Sequence, residues 1–184
     1  MSNKISEMLV RLCPEGVEYK KLKDVANLQR GSVITKENAL EGEIPVIAGG
    51  QKPAYYCDTF NREGETITVA GSGAYAGYVS IWAIPIFVSD AFSIKGNSLC
   101  LTKYLYYVLK NLQEKIYSTK KGGGVPHVHI SSVENFEIPV PPIEVQEEIV
   151  KILDRFTEYG RRLEEELECR KKQYEYYREK LLKF

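Results

Sequence analysis

The segment Ile138-Pro139-Val140-Pro141-Pro142-Ile143-Glu144-Val145-Gln146-Glu147-Glu148-Ile149-Val150-Lys151-Ile152-Leu153-Asp154 separates two textures of chain. Pro139, Pro141 and Pro142 break regular structure, because proline fixes φ and has no backbone N–H. Residues 143–184 hold no proline and a single glycine, Gly160. Apolar or aromatic side chains recur there at Val145, Ile149, Ile152, Phe156, Tyr159, Leu163, Leu167, Tyr174, Tyr177 and Leu181. Steps of three and four, with Arg170 falling in the stripe between Leu167 and Tyr174, put them on one side of a helix, which at 1.5 Å per residue spans roughly 60 Å. The remaining faces carry mixed charges, as solvated coiled-coil flanks do. A lone rod cannot cover its own stripe. The seam therefore calls for a partner helix, from a second copy or from a different subunit. With a second copy, the expected dimerisation residues are Ile149, Ile152, Phe156, Leu163, Leu167, Tyr174, Tyr177 and Leu181.

Upstream of the prolines the texture is that of a small globular domain. Short apolar runs alternate with Gly, Pro and Asn/Asp: Val25–Leu28, Ile44–Ala48, Thr66–Ala70, Tyr78–Trp82, Ile84–Val88, Ala91–Ile94 and Phe136–Val140. Their length and β-branched content predict strands. Residues 3–12 read as a short helix, and 102–117 as another with Thr102 as its N-cap. The fold class is thus α+β: a mixed α/β domain over 1–142, then a long C-terminal helix over 143–184 that forms a coiled coil with a second copy.

The chain of 184 residues is 43% hydrophobic and 27% charged, which suits a packed core. Twenty-five cations balance 25 carboxylates, so nucleic-acid binding must come from a local patch. Two patches exist. Residues 20–36 carry Lys20, Lys21, Lys23, Arg30 and Lys36 against Asp24; residues 95–121 carry six lysines against Glu114. The four cysteines are far apart with no CxxC, which argues against a zinc framework or a disulfide scaffold. No apolar run reaches membrane-spanning length, and the N-terminus lacks the apolar stretch of a signal peptide. A cytoplasmic protein with reduced thiols and no membrane association is expected.

Catalytic signatures fail one by one. Gly71-Ser72-Gly73-Ala74-Tyr75-Ala76-Gly77 has G-x-G-x-x-x-G spacing and precedes a strand, whereas a dinucleotide loop needs a helix N-terminus. It reads instead as a tight, exposed β-loop. Lys120-Lys121-Gly122-Gly123-Gly124 places its lysines before the glycines, the reverse of a P-loop. His127 and His129, two apart on a strand, project to one face, but no third metal ligand is evident. No catalytic residue, metal site or cofactor is expected.

The hinge segment, with its I-P-x-P-P turn, acidic residue, Gln146 and Ile149-Val150-x-x-Leu153-Asp154, resembles the DNA-specificity subunits of type I restriction-modification systems. Pro14-Glu15-Gly16-Val17-Glu18-Tyr19-Lys20-Lys21-Leu22, Gly73 to Tyr78 and Ser89-Asp90-Ala91-Phe92 extend the likeness over nearly the whole chain. That family usually repeats a target recognition domain and a helix twice; this sequence has one of each. The resemblance implies a half-length specificity subunit without catalysis. Its partners would be double-stranded DNA, a second copy, adenine methyltransferase subunits and restriction subunits. Its target would be bipartite, read by a homodimer. From loop position and chemistry, Arg30, Lys52, Ser72, Tyr75, Lys120, Lys121, His127 and His129 are expected at the DNA face. The alternative is a protein–protein adaptor that recruits partners through the long helix.

Overall fold

Thr66–Ala70 is apolar or β-branched at every position but carries two hydroxyls, and the computed structural model buries all five residues. A strand buried on both faces lies inside a sheet. The structure describes residues 3–184. In chain order the elements are α1 (Asn3–Leu12), β1 (Tyr19–Lys21), α2 (Leu22–Val25), β2 (Ala26–Arg30), β3 (Ile44–Ile47), β4 (Tyr55–Cys57), β5 (Thr66–Ala70), β6 (Val79–Trp82), β7 (Phe87–Val88), β8 (Ala91–Gly96), α3 (Thr102–Asn111), α4 (Gln113–Tyr117), α5 (Ile130–Val133), β9 (Glu137–Pro139) and α6 (Ile143–Leu181). β5 lies between β8 and β6 in a sheet of order β2-β8-β5-β6, antiparallel throughout. Its hydroxyls are satisfied in place: Thr68 Oγ1 accepts from Trp82 Nε1 at 2.9 Å, and Thr66 donates to Gly64 O at 3.0 Å. A second sheet, β4-β3-β7, and a ribbon, β1-β9, complete the domain.

The helices cover one face of the larger sheet. Leu105 and Leu109 of α3 and Ile116 of α4 are fully buried against Ile67, Val69 and Ile94, with Leu22, Val25 and Ile138 closing the core. A smaller cluster of Ile47, Ile86, Val88 and Ala91 joins the two sheets. Among the described residues every buried side-chain polar atom has a hydrogen-bond partner.

Several expectations need correction. The strand expected at Val25 starts at Ala26, because Leu22 and Val25 are both fully buried. Residues three apart share a side in a helical turn but not in a strand. The 102–117 helix is interrupted at Leu112, with φ −92° and ψ 11°. Thr102 is not its N-cap: Leu101 holds that position, and Thr102 Oγ1 instead accepts the Gly96 N–H at 3.1 Å. His127 and His129 lie outside any strand, although backbone pairing of His127 with Ser72 and Lys121 keeps the local chain extended. Ile84–Val88 shortens to Phe87–Val88.

The hinge is built around Gln146, which is fully buried. Its Oε1 accepts from the Leu101 N–H at 2.9 Å. Its Nε2 donates to Leu99 O at 2.9 Å and to Pro141 O at 2.8 Å. One side chain thus ties the start of α3, the proline turn and the root of α6. Val145 is buried beside it, and Ile149 and Val150 pack on the same core. Lys4 meets Glu148 at 2.6 Å from α1, and Lys103 meets Asp154 at 2.8 Å from α3. Tyr107 donates to Asp154 at 2.6 Å, and burial aided by this bond pushes its hydroxyl up to about 12. Ile149, expected on the dimer seam, is therefore occupied by its own domain. The free stripe begins at Phe156, which is 69% exposed, and runs through Leu163, Leu167, Tyr174 and Tyr177 to Leu181. Among the described residues no helix is long and apolar enough to cross a membrane.

Candidate nucleic-acid interface

The strand registers bring the loops together. Arg30 lies opposite Phe92, Ala70 opposite Ala91, and Ile47 beside Val88. β2, β3 and β5 therefore all end at the same edge, where the turn into β8 begins. Backbone hydrogen bonds then knit the emerging loops. Gly31 N–H donates to Ala91 O at 2.9 Å, Ser89 N–H to Ile47 O at 2.8 Å and Gly71 N–H to Asp90 O at 3.0 Å. The loop after α4 joins them: Gly73 N–H donates to Pro126 O and Val128 N–H to Gly71 O, each at 3.0 Å. Lys121 and His127 exchange backbone bonds of 2.9 and 2.8 Å, closing the triglycine loop.

This junction collects the residues expected at the DNA face except Lys52, which lies further along the β3–β4 loop. Arg30, Lys52, Tyr75, Lys121 and His129 are exposed, and Ser72, Lys120 and His127 are half-buried. Lys120 crosses to the β5–β6 loop, its Nζ 3.4 Å from Ala74 O and 4.3 Å from the Tyr117 ring centre. The His127 and His129 rings lie parallel, 3° apart in plane with centroids at 6.0 Å. Among the described residues no group of three His, Cys, Asp or Glu could hold a metal ion. Ser72 is less available than expected, because its hydroxyl donates to Asp90 Oδ2.

Two residues that shape the junction were not singled out from the sequence. Arg62 is 9% exposed, with donors at 2.7 Å from Ser93 Oγ, 2.6 Å from Asn61 O and 3.0 Å from Arg30 O. Burial lowers its pKa, and its bond to the Arg30 carbonyl fixes the end of β2. Nothing in its neighbourhood, Asn61-Arg62-Glu63, distinguishes it from a solvated cation. Asp90 lies inside a stretch with family likeness, but its acidic charge gave no reason to place it on a basic surface.

Close backbone approach explains two glycines. A Cβ on Gly31 would come within 2.1 Å of Ser89 O, and one on Gly49 within 2.4 Å of Ser72 O. Gly50 has room, its nearest neighbour being 3.4 Å away. Gly49→Ala is expected to cost about 1–3 kcal/mol, a drop of roughly 2–12 °C in melting temperature. Gly50→Ala should be near neutral. Thermal unfolding of the pair checks this, and equal melting temperatures would refute the tight packing of the two loops.

Residues 14–169 match the type I restriction modification DNA specificity domain. The chain belongs to that family. A Haemophilus influenzae protein named as a type I restriction enzyme specificity subunit is 32% identical over 188 residues, covering 90% of this chain and 46% of its own length. The MpnII specificity subunit of Mycoplasma pneumoniae is 29% identical over 174 residues, covering 85% of this chain and 50% of its own. The crystal structure of a type I restriction-modification S subunit from M. genitalium matches with a TM-score of 0.69 and 26% identity, over 77% of this chain and 40% of that one. The chain thus spans about half the length of these specificity-subunit relatives.

Proposed function

We propose that this chain is the DNA-recognition half-subunit of a type I restriction-modification complex, non-catalytic itself and acting in the cytoplasm. The domain over 3–142 grips duplex DNA with the loop junction. Two copies pair through α6, present two heads to inverted half-sites of a bipartite target, and carry methyltransferase and restriction subunits to it. The observation that carries this reading is the gathering of Arg30, Lys120, Lys121, His127 and His129 on loops knitted at one edge of the sheets. Cations there position the domain on phosphates, while polar side chains select bases.

Pairing of two copies draws support from the exposed stripe and from charge. Residues 143–158 carry five carboxylates against two cations, and residues 170–184 carry six cations against two carboxylates. An antiparallel pair sets each basic end beside an acidic root; a parallel pair sets like beside like.

The test is a salt titration of duplex DNA binding. Lys120→Ala with Lys121→Ala is expected to weaken binding to all sequences alike. It should also flatten the log–log salt slope by about one unit for each phosphate that the two ammonium groups neutralise in the parent. An unchanged slope and affinity would remove these lysines from the interface. A wild-type chain with no affinity for duplex DNA would leave the adaptor as the better reading.

A further inference from the structure

The loop junction encloses a cleft of about 260 Å³ lined in part by Arg30, Asp90, His127, His129 and Ser131. On a surface that grips phosphates, Asp90 is the odd member. It is exposed, and among the described residues no ion pair engages it. Its place is nonetheless fixed. Ser72 Oγ–H donates to Asp90 Oδ2, Gly71 N–H donates to Asp90 O, and the next residue's carbonyl accepts from Gly31 N–H. No described donor bonds Oδ1, and no described acceptor holds the Arg30 guanidinium, whose backbone Arg62 pins. The cleft thus presents one oriented acceptor and one forked donor, and the two do not neutralise each other.

A carboxylate repels phosphate, so on DNA it must meet a base-edge donor. In the major groove the donors are cytosine N4 and adenine N6. Adenine N6 stands beside the N7 acceptor, which repels the carboxylate's second oxygen; on the major-groove edge of cytosine no acceptor stands beside N4. The base paired with cytosine is guanine, whose N7 and O6 accept the two prongs of an arginine. Arg30 and Asp90 together are therefore complementary to the major-groove edge of one G·C pair.

We infer that the Arg30–Asp90 cleft reads a single G·C base pair, guanine by Arg30 and cytosine by Asp90, with Ser72 as the residue that positions the carboxylate. This rests on the proposed DNA-reading function. The test is selection of bound sequences from a randomised duplex pool by the full chain and by Arg30→Ala, Asp90→Ala and Asp90→Leu. Both side chains are exposed, so the variants should melt as the parent does. The parent should enrich a half-site with an invariant G·C pair. All three variants should lose preference at that one position by about tenfold or more and keep the rest. In Asp90→Leu, a side chain of similar reach offers the cytosine amine no acceptor, so the preference should be lost although the position is still filled. Variants that enrich the parent's sequence unchanged, or that weaken every sequence equally, overturn this inference and leave the DNA reader intact. A parent that enriches nothing overturns both.

Discussion

Replacing Phe156 and Leu163 with aspartate should convert the proposed dimer to a monomer without unfolding the head. The two side chains are 69% and 67% exposed in the single chain, so neither supports the domain's own core. Across a paired seam they face the partner, where an unpaired carboxylate loses its hydration. Its burial costs several kcal/mol, and about 4 kcal/mol raises a dissociation constant roughly a thousandfold. Sedimentation velocity should show a species of twice the 21.0 kDa chain mass for the parent and of the chain mass for the variant, with equal melting of the domain. A variant that stays dimeric would mean that copies associate by another surface.

Removing the hinge amide should have the opposite character, harming the fold and sparing the seam. Gln146→Leu keeps the volume but leaves the Leu101 N–H and the Leu99 and Pro141 carbonyls without the partners they have now. An unsatisfied buried group costs about 1–3 kcal/mol. The bond to Pro141 O is buried and the other two are part-buried, so their loss together should lower stability by about 2–3 kcal/mol and melting by roughly 4–12 °C. Calorimetry checks this, and melting within 2 °C or so of the parent would show that Gln146 does not tie the head to the helix. Because the angle of α6 to the domain depends on this joint, DNA affinity should fall in the surviving folded fraction as well.

Periodicity made the long helix legible, since 3.6-residue spacing persists from Val145 to Leu181 and α6 ends at the last of these positions. It could not show where the stripe changes partner. Val145 and Ile149 share the spacing of Phe156 and Leu163, yet the first two are covered by the domain's own core and the last two by nothing. Burial is a property of the tertiary arrangement, and the repeat is the same on both sides of the change. β5 was legible because its β-branched run is continuous. β4 was not: Tyr55-Tyr56-Cys57 is three residues long and follows Lys52-Pro53, and it extends only because β3 offers it an edge.

The exposure of the candidate interface was legible in its cations and loops, since glycine-rich, lysine-bearing segments rarely lie inside a core. What sequence could not show was geometry. Ser72 looked like a free hydroxyl, and the structure gives its proton to Asp90. Arg62 looked like one more surface charge, and it is the buried strut behind Arg30. Both depend on contacts between segments 18 to 32 residues apart, and no local pattern encodes them.

The proposed dimer would hold two identical heads at one distance on a duplex. The most direct measurement of that distance is selection from a random duplex pool by the full chain, alone and with an adenine methyltransferase subunit of a type I system. A single half-site should appear twice, inverted, at one constant spacing. Enrichment of solitary sites, or of paired sites at drifting distances, would contradict it.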